Sequence, residues 1–263
     1  MKNRDVLKEI VSKKKERIPL AKIVLSEEAI KEKIGQLPPT RSFSKAIVRP
    51  RQISLIAEIK KSSPSLGVIR ADFNHIEIAK VYHDAGVNAV SVLTEEDFFS
   101  GNISFLNEVK SVTQVPVLRK DFIIDLYQVY ESRYYGADAL LLIAGLLTQD
   151  QISEFSSIAL GLGMETVVEV HDEKELKKVL RLKNIPIIGI NNRSLRSLDV
   201  DSKTTEKLFP LVPREKIVIV ESGISSPQDI LFLKILGVNA VLVGTVFMKA
   251  DNIRAKIDEL MGW

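Results

Sequence analysis

From residue 53 onward, short apolar runs alternate with longer amphipathic stretches. The runs cover 53–59, 89–93, 115–118, 139–143, 166–170, 185–190, 217–220 and 240–243, and all are rich in Val, Ile or Leu. Such runs read as strands of a parallel sheet covered on both faces, where the apolar/polar alternation fades because both sides are buried. Between them, 76–85, 149–162 and 173–182 carry apolar residues at helical spacing. Gly86, Gly136, Gly163 and Gly237 stand just past several of these stretches, where a helix is expected to stop. Strand–helix units in this rhythm predict a closed barrel or a large open sheet.

The polar positions choose between the two. Almost every apolar run ends in a charged or hydrogen-bonding residue, or in glycine: Glu58 and Lys60, Thr94, Lys120, Glu169, Asn191, Glu221, Gly244. In a barrel all the strand carboxyl ends meet at one mouth, which is where such residues are useful. An open sheet would gather them at a single switch point. The spread over so many strands predicts an α/β fold of the (β/α)8 barrel type. A length of 263 residues suits one such barrel, which usually runs to about 250.

Residues 1–48 follow another pattern. Met1 to Arg17 is lysine-rich, with Val6, Leu7, Ile10 and Val11 at helical spacing, and a second helical stretch, 26–34, precedes the breaker Leu37-Pro38-Pro39. The expected organisation is a helical extension, 1–48, packed on a catalytic barrel, 49–263. Mixed lysine and glutamate at this spacing reads as the solvated face of a packed helix, a lid or support, rather than an arm for nucleic acid.

Composition narrows the chemistry. The chain has no cysteine, which excludes disulfides and thiolate metal sites. Its three histidines, His75, His83 and His171, are scattered, so no metal centre or other cofactor is expected. His171 reads as a polar residue at a helix start. A net charge of +3 suits an anionic small molecule without calling for nucleic acid. No leader-like segment and no apolar run of about 18 residues is seen, so the expectation is a cytoplasmic protein off the membrane, a monomer or homodimer.

Three groups of residues carry candidate chemistry. Glu58 and Lys60 lie two apart on one strand, hence on one face. If that face is the barrel interior, the pair sits at the mouth, with a buried structural ion pair as the plainer reading. Lys120, Glu169 and Glu221 end three other strands and add candidate acids and bases whose pKa values burial and neighbours can tune. Glu221-Ser222-Gly223 and Val243-Gly244-Thr245 follow the last two strands, the recurrent phosphate position of this barrel. There glycine lets backbone N–H groups approach an anion while Ser222 or Thr245 adds a hydroxyl. Gly244→Asp is accordingly expected to act on KM more than on kcat. Asn191 and Arg193 follow the sixth strand, where a guanidinium can grip a carboxylate.

Taken together, these runs resemble the indole-3-glycerol-phosphate synthases. The resemblance is carried by Ile56-Ala57-Glu58-Ile59-Lys60-Lys61-Ser62-Ser63-Pro64-Ser65, Ser91-Val92-Leu93-Thr94-Glu95, Lys120-Asp121-Phe122-Ile123-Ile124-Asp125 and Gly136-Ala137-Asp138-Ala139. It continues through Glu169-Val170-His171, Gly189-Ile190-Asn191-Asn192-Arg193 and Glu221-Ser222-Gly223-Ile224, in the family's order. Ser194 stands where an Asp often follows the Asn-Arg pair, and Gly244-Thr245-Val246 departs from the family's last phosphate loop.

The resemblance implies a lyase of tryptophan biosynthesis. It would convert 1-(2-carboxyphenylamino)-1-deoxyribulose 5-phosphate to indole-3-glycerol phosphate by ring closure, decarboxylation and dehydration, with no cofactor. It further implies Lys120 as the acid that protonates the developing alkoxide, with Glu58 and Lys60 assisting dehydration. Glu169 would stabilise the anilino nitrogen or act as base, alongside Glu221. Asn191, Ser222 and Arg193 would position substrate. Leu93, Phe122 and Leu142 would wall the aromatic ring, and Ser63, Gly223, Gly244 and Thr245 would hold phosphate. Phosphoribosylanthranilate isomerase shares the barrel but typically uses a Cys/Asp pair, which a cysteine-free chain cannot supply. A barrel kept only as a binding scaffold leaves the strand-end lysines and glutamates without a use.

Overall fold

The computed structural model describes residues 5–195 and 197–262. The first four residues of the lysine-rich run lie outside them. Eight parallel strands close into a barrel: β1 Ser54–Ile59, β2 Ala89–Leu93, β3 Val117–Lys120, β4 Ala139–Ile143, β5 Glu165–Val170, β6 Ile187–Asn191, β7 Ile217–Glu221 and β8 Ala240–Val243. Each pairs with its sequence neighbour, and β8 returns to β1 through Ser54↔Ala240 to Ala57↔Val243. The barrel expected from the chain pattern is therefore the observed fold. Two strands start later than the apolar runs suggested. β3 begins after Pro116 and β6 after Pro186, because proline has no N–H to give a central ladder.

Alternation divides the strand residues between two cores. Leu55, Ala57, Val90, Val92, Leu140, Leu142, Val168 and Val220 face outward into the layer beneath the helices. Ile56, Leu118, Leu141, Ile143, Val167, Ile219 and Leu242 fill the interior. Helices α4 His75–Asp84, α5 Phe105–Val112, α6 Leu126–Tyr134, α7 Gln149–Gly161, α8 Glu173–Leu180, α9 Lys203–Leu208 and α10 Pro227–Leu236 lie on the connections between strands. After β8 come α11 Thr245–Lys249 and α12 Ile253–Met261. Their boundaries are chemically marked. Thr148 and Gln151 form a capping box on α7, and Gly237 ends α10 with φ 102°, a backbone that glycine adopts without strain.

Three helices precede β1, numbered here before the others in chain order: α1 Val6–Val24, α2 Glu27–Ile34 and α3 Phe43–Ile47. Phe43 and Ile47 of α3 are fully buried against the interior core. The Ser44 backbone N–H donates to Glu165 at the start of β5, which seats α3 at the amino end of the barrel. At the other end, Val6 and Ile10 of α1 pack on the interior cluster. The basic residues of α1 are largely spoken for. Lys14 is buried against Asp121 at 2.8 Å and Glu96 at 3.2 Å, Arg17 pairs with Asp97 at 2.6 Å and Lys22 with Asp125 at 3.0 Å. No helix among the described residues is long and apolar enough to cross a membrane.

Candidate active site

The carboxyl ends of the strands open into a cavity of about 360 Å³, within the size range of small-molecule sites. Its polar floor comes from side chains at the last inward position of their strands. Lys120 of β3 is 16% exposed and places Nζ 3.1 Å from Glu169 Oε2 of β5 and 2.8 Å from Glu221 Oε2 of β7. Both carboxylates are almost wholly buried. Glu58 and the residue two beyond it, Lys60, form an ion pair at the end of β1. Asn191 of β6 accepts a bond from the Arg193 N–H at 2.9 Å.

Two glycines make room for these acids. A Cβ on Gly189 would stand 2.9 Å from Glu221 Oε1, and one on Gly244 would stand 2.7 Å from the Cβ of Glu58. Real carbon pairs in contact keep about 3.5–4.0 Å. Gly244 is thus a spacer for Glu58 before it is anything else.

The buried charges do not titrate alike. Burial works against the Lys120 charge, but Glu169, Glu221 and Glu58 outweigh it, and the ammonium's pKa lies above its ordinary value. Burial alone would also favour neutral Glu169, yet Lys120 and His171 hold its carboxyl well below the usual range. For Glu221 burial prevails. With repulsion from Glu169 and Glu58 added, its pKa is pushed up to about 7 in spite of Lys120. Carboxylates that share one cation and differ in surroundings divide into an ionised member and a proton-holding one.

The wall is apolar. Leu93 and Phe122 face the cavity, with Phe99 tilted against Phe122 at a ring-centroid distance of 6.1 Å. Leu142 does not join them. It lies outward beneath the helices, and its neighbours Leu141 and Ile143 line the cavity instead. In an all-apolar run nothing but strand pairing fixes which residues point inward. Val6, Leu7 and Ile10 of α1 complete the wall, a contribution that the sequence shows only as the apolar stripe of a packed lid or support helix.

At the rim Ser63, Gly223, Gly244 and Thr245 gather on the loops after β1, β7 and β8. Ser222 and Gly223 both adopt left-handed backbone, φ 65° and 76°, turning the loop sharply. Ser225 and Ser226 N–H groups are already taken by Asp229, at 2.9 Å each, so an anion here meets other donors. Arg193 lines the cavity while its Nη1 donates to the Leu198 carbonyl at 2.7 Å.

Three features go beyond the sequence reading. His171 stands behind Glu169, with Nε2 3.1 Å from Glu169 Oε1 and Nδ1 3.1 Å from Glu175 Oε2; the helix-start role belongs to its neighbour Asp172, which caps α8. Outward on β3, the buried Arg119 joins Asp121, Glu131, Thr94 and Ser132. Glu95, Glu96 and Asp97 bring carboxylate oxygens together on the loop after β2, with Lys14 and Arg17 already paired to two of them.

The family described as indole-3-glycerol phosphate synthase matches residues 7–260. An indole-3-glycerol phosphate synthase of Acetivibrio thermocellus is 46% identical, over 97% of this chain and 98% of its own length. One from Neisseria meningitidis serogroup C is 43% identical, over 97% of this chain and 99% of its own. Among solved structures, a mutant tryptophan synthase α-subunit of Pyrococcus furiosus superposes with a TM-score of 0.61 at 17% identity, covering 80% of this chain and 98% of that one, a likeness of fold alone. The match spans all eight strands of the barrel, with near-complete coverage in both directions: the chain belongs to the indole-3-glycerol phosphate synthase family.

Proposed function

We propose that this cavity performs the ring closure for which the family is named, on 1-(2-carboxyphenylamino)-1-deoxyribulose 5-phosphate, as a cytoplasmic enzyme of tryptophan biosynthesis working as a monomer or homodimer. One observation carries the assignment of roles: a buried ammonium, Lys120, held between Glu169 and Glu221 beneath an apolar wall. The ring carbon bearing the carboxylate attacks the C2 carbonyl. As the C–C bond forms, the carbonyl electrons move to oxygen, which takes a proton from Lys120. The bond to the carboxylate then breaks, CO₂ leaves, and its electron pair restores the aromatic ring. Loss of the new hydroxyl as water, with a proton from the adjacent CH₂, gives the indole.

The side chains divide this work. Ionised Glu169 offsets positive charge on the anilino nitrogen and accepts the last proton. Glu58 and Lys60 assist departure of the hydroxyl, and Glu221 holds the proton that Lys120 exchanges. Asn191, Ser222 and Arg193 orient the substrate, Arg193 toward its carboxylate. Leu93 and Phe122 flank the aromatic ring, and Ser63, Gly223, Gly244 and Thr245 seat the phosphate. Residues 1–48 form a helical extension of the 49–263 barrel, with α1 as part of the wall.

The test is indole fluorescence on adding the carboxyphenylamino substrate to the purified protein. Lys120→Met is expected to lower kcat by about 10²–10⁴, the usual worth of a positioned proton donor. A variant with near-normal kcat overturns the assignment.

A further inference from the structure

His171 is used by none of the steps above, yet it is built into the site with care. Its ring is 13% exposed and lies between two carboxylates on different elements, Glu169 at the end of β5 and Glu175 in the first turn of α8. Glu175 is fixed from three sides. Its Oε2 also accepts from the His171 backbone N–H at 2.8 Å, its own N–H donates to Asp172 at 2.8 Å, and its Oε1 lies where a Cβ on Gly145 would come within 2.5 Å. Glu169 Oε1 and His171 Nε2 are buried and stand 3.1 Å apart as an ion-pair contact, and neither atom has a hydrogen-bond partner among the described residues. The second Glu169 oxygen, Oε2, faces Lys120. The carboxylate is thus held at one oxygen by an amine on β3 and at the other by an imidazole anchored on α8.

The other charges near this chain of contacts do not compete for the ring. Lys178 of α8 gives its amine to the Ala144 and Leu147 carbonyls. Glu58 and Glu221 both face Lys120, and Glu221 and Glu169 repel one another directly. We propose that His171, anchored by Glu175, is a positioning residue for the ring closure. It keeps Glu169 ionised and aimed at Lys120, so that a proton entering this buried group settles on Glu221. Two of the shifts agree with that division. Burial alone would lower the imidazole pKa, but Glu169 and Glu175 raise it to about 10, so the ring is a cation at neutral pH. Glu169 is correspondingly held below the usual carboxylate range.

The inference rests on Glu169 acting in the reaction as proposed above, and the experiment separates the two claims. The pH profile of kcat/KM is measured from pH 3 to 9 for the parent, His171→Gln, His171→Lys, Glu175→Gln and Glu169→Gln. Removing an opposite charge within hydrogen-bond reach raises a carboxylate pKa by about 1–3 units. In His171→Gln the acid limb, which in the parent lies below the usual carboxylate range, should therefore move up toward that range by about one unit or more, lowering kcat about tenfold at the acid end with KM little changed and the rate near neutral pH unaffected. His171→Lys should return the limb toward the parent's, and Glu175→Gln should move it the same way as His171→Gln but less far. On the residual rate of Glu169→Gln, His171→Gln should add nothing. An equal fractional loss at every pH, a loss confined to KM, or an unmoved limb in both His171→Gln and Glu175→Gln overturns the inference. Normal turnover by Glu169→Gln overturns the reading of the site instead.

Discussion

Gly244→Ala separates two accounts of the last barrel loop. Sequence position makes Gly244 a phosphate glycine, so that a side chain there should weaken substrate binding. The geometry assigns the damage elsewhere. Gly244 has φ −136°, outside the left-handed region that favours glycine, and the new methyl meets a close neighbour. That is Glu58, with its Cβ at 2.7 Å and its Cδ at 3.0 Å. Normal carbon contact needs about 3.5–4.0 Å, so Glu58 must retreat by roughly 1 Å, leaving its pairing with Lys60. A misplacement of about 1 Å costs on the order of 10²-fold in rate, and overpacking a tight site costs about 1–3 kcal/mol of stability. The expected result is a kcat about 10²-fold down, a modest fall in Tm and a KM within a few-fold of the parent's. Steady-state fluorescence kinetics measures the first and last, and competition by inorganic phosphate reads the anion seat independently. If KM and the phosphate inhibition constant rise tenfold while kcat stays within twofold, the new methyl obstructs the phosphate seat rather than Glu58, and the argument from Glu58 is wrong.

Glu221→Gln should gain Tm relative to the parent as pH rises from 5 to 8. The folded pKa is raised to about 7, so its contribution is present below the ordinary carboxylate range and is lost as pH climbs through the folded value, a loss glutamine does not suffer. A Tm difference equal at both pH values refutes the shift. Deleting residues 1–24 should raise KM and lower Tm together, since it strips Val6, Leu7 and Ile10 from the cavity wall and Lys14 from Asp121. Strong binding of DNA by the intact chain with a steep salt slope would instead make the basic helix a nucleic-acid arm.

What the sequence disclosed follows from the period of two. Along β1, Glu58 and Lys60 share parity with Ile56, so two charges on the face of an interior apolar residue marked the mouth without any model of the barrel. Lys120, Glu169, Asn191 and Glu221 are legible by another signal, a polar residue ending an apolar run, and each lines the cavity. It had no purchase on β4, where Ala139–Ile143 is buried on both faces and no polar residue breaks the symmetry. Leu142 was assigned inward and lies outward for that reason. Contacts between distant segments were equally out of reach. Asp121 binds Lys14 from α1, and Glu169 meets His171, which parity places on the right side but whose anchor, Glu175, belongs to the next helix.

The interior chemistry of this barrel is a problem in charge balance. At the mouth stand two amines, Lys60 and Lys120, and three carboxyl groups, Glu58, Glu169 and Glu221. Fully ionised, these five groups carry one net negative charge, which Arg193 on the same cavity and the His171 cation behind Glu169 offset. Glu221 is the group that burial and its two acidic neighbours have poised to retain a proton, which shifts the balance further toward admitting an anion. Glu169 cannot play that part while His171 stands behind it. The two acids around Lys120 are therefore not equivalent: Glu169 is held ionised and Glu221 is poised to carry a proton. Gly189 and Gly244, which give up side chains to leave Glu221 and Glu58 their space, belong to the same design.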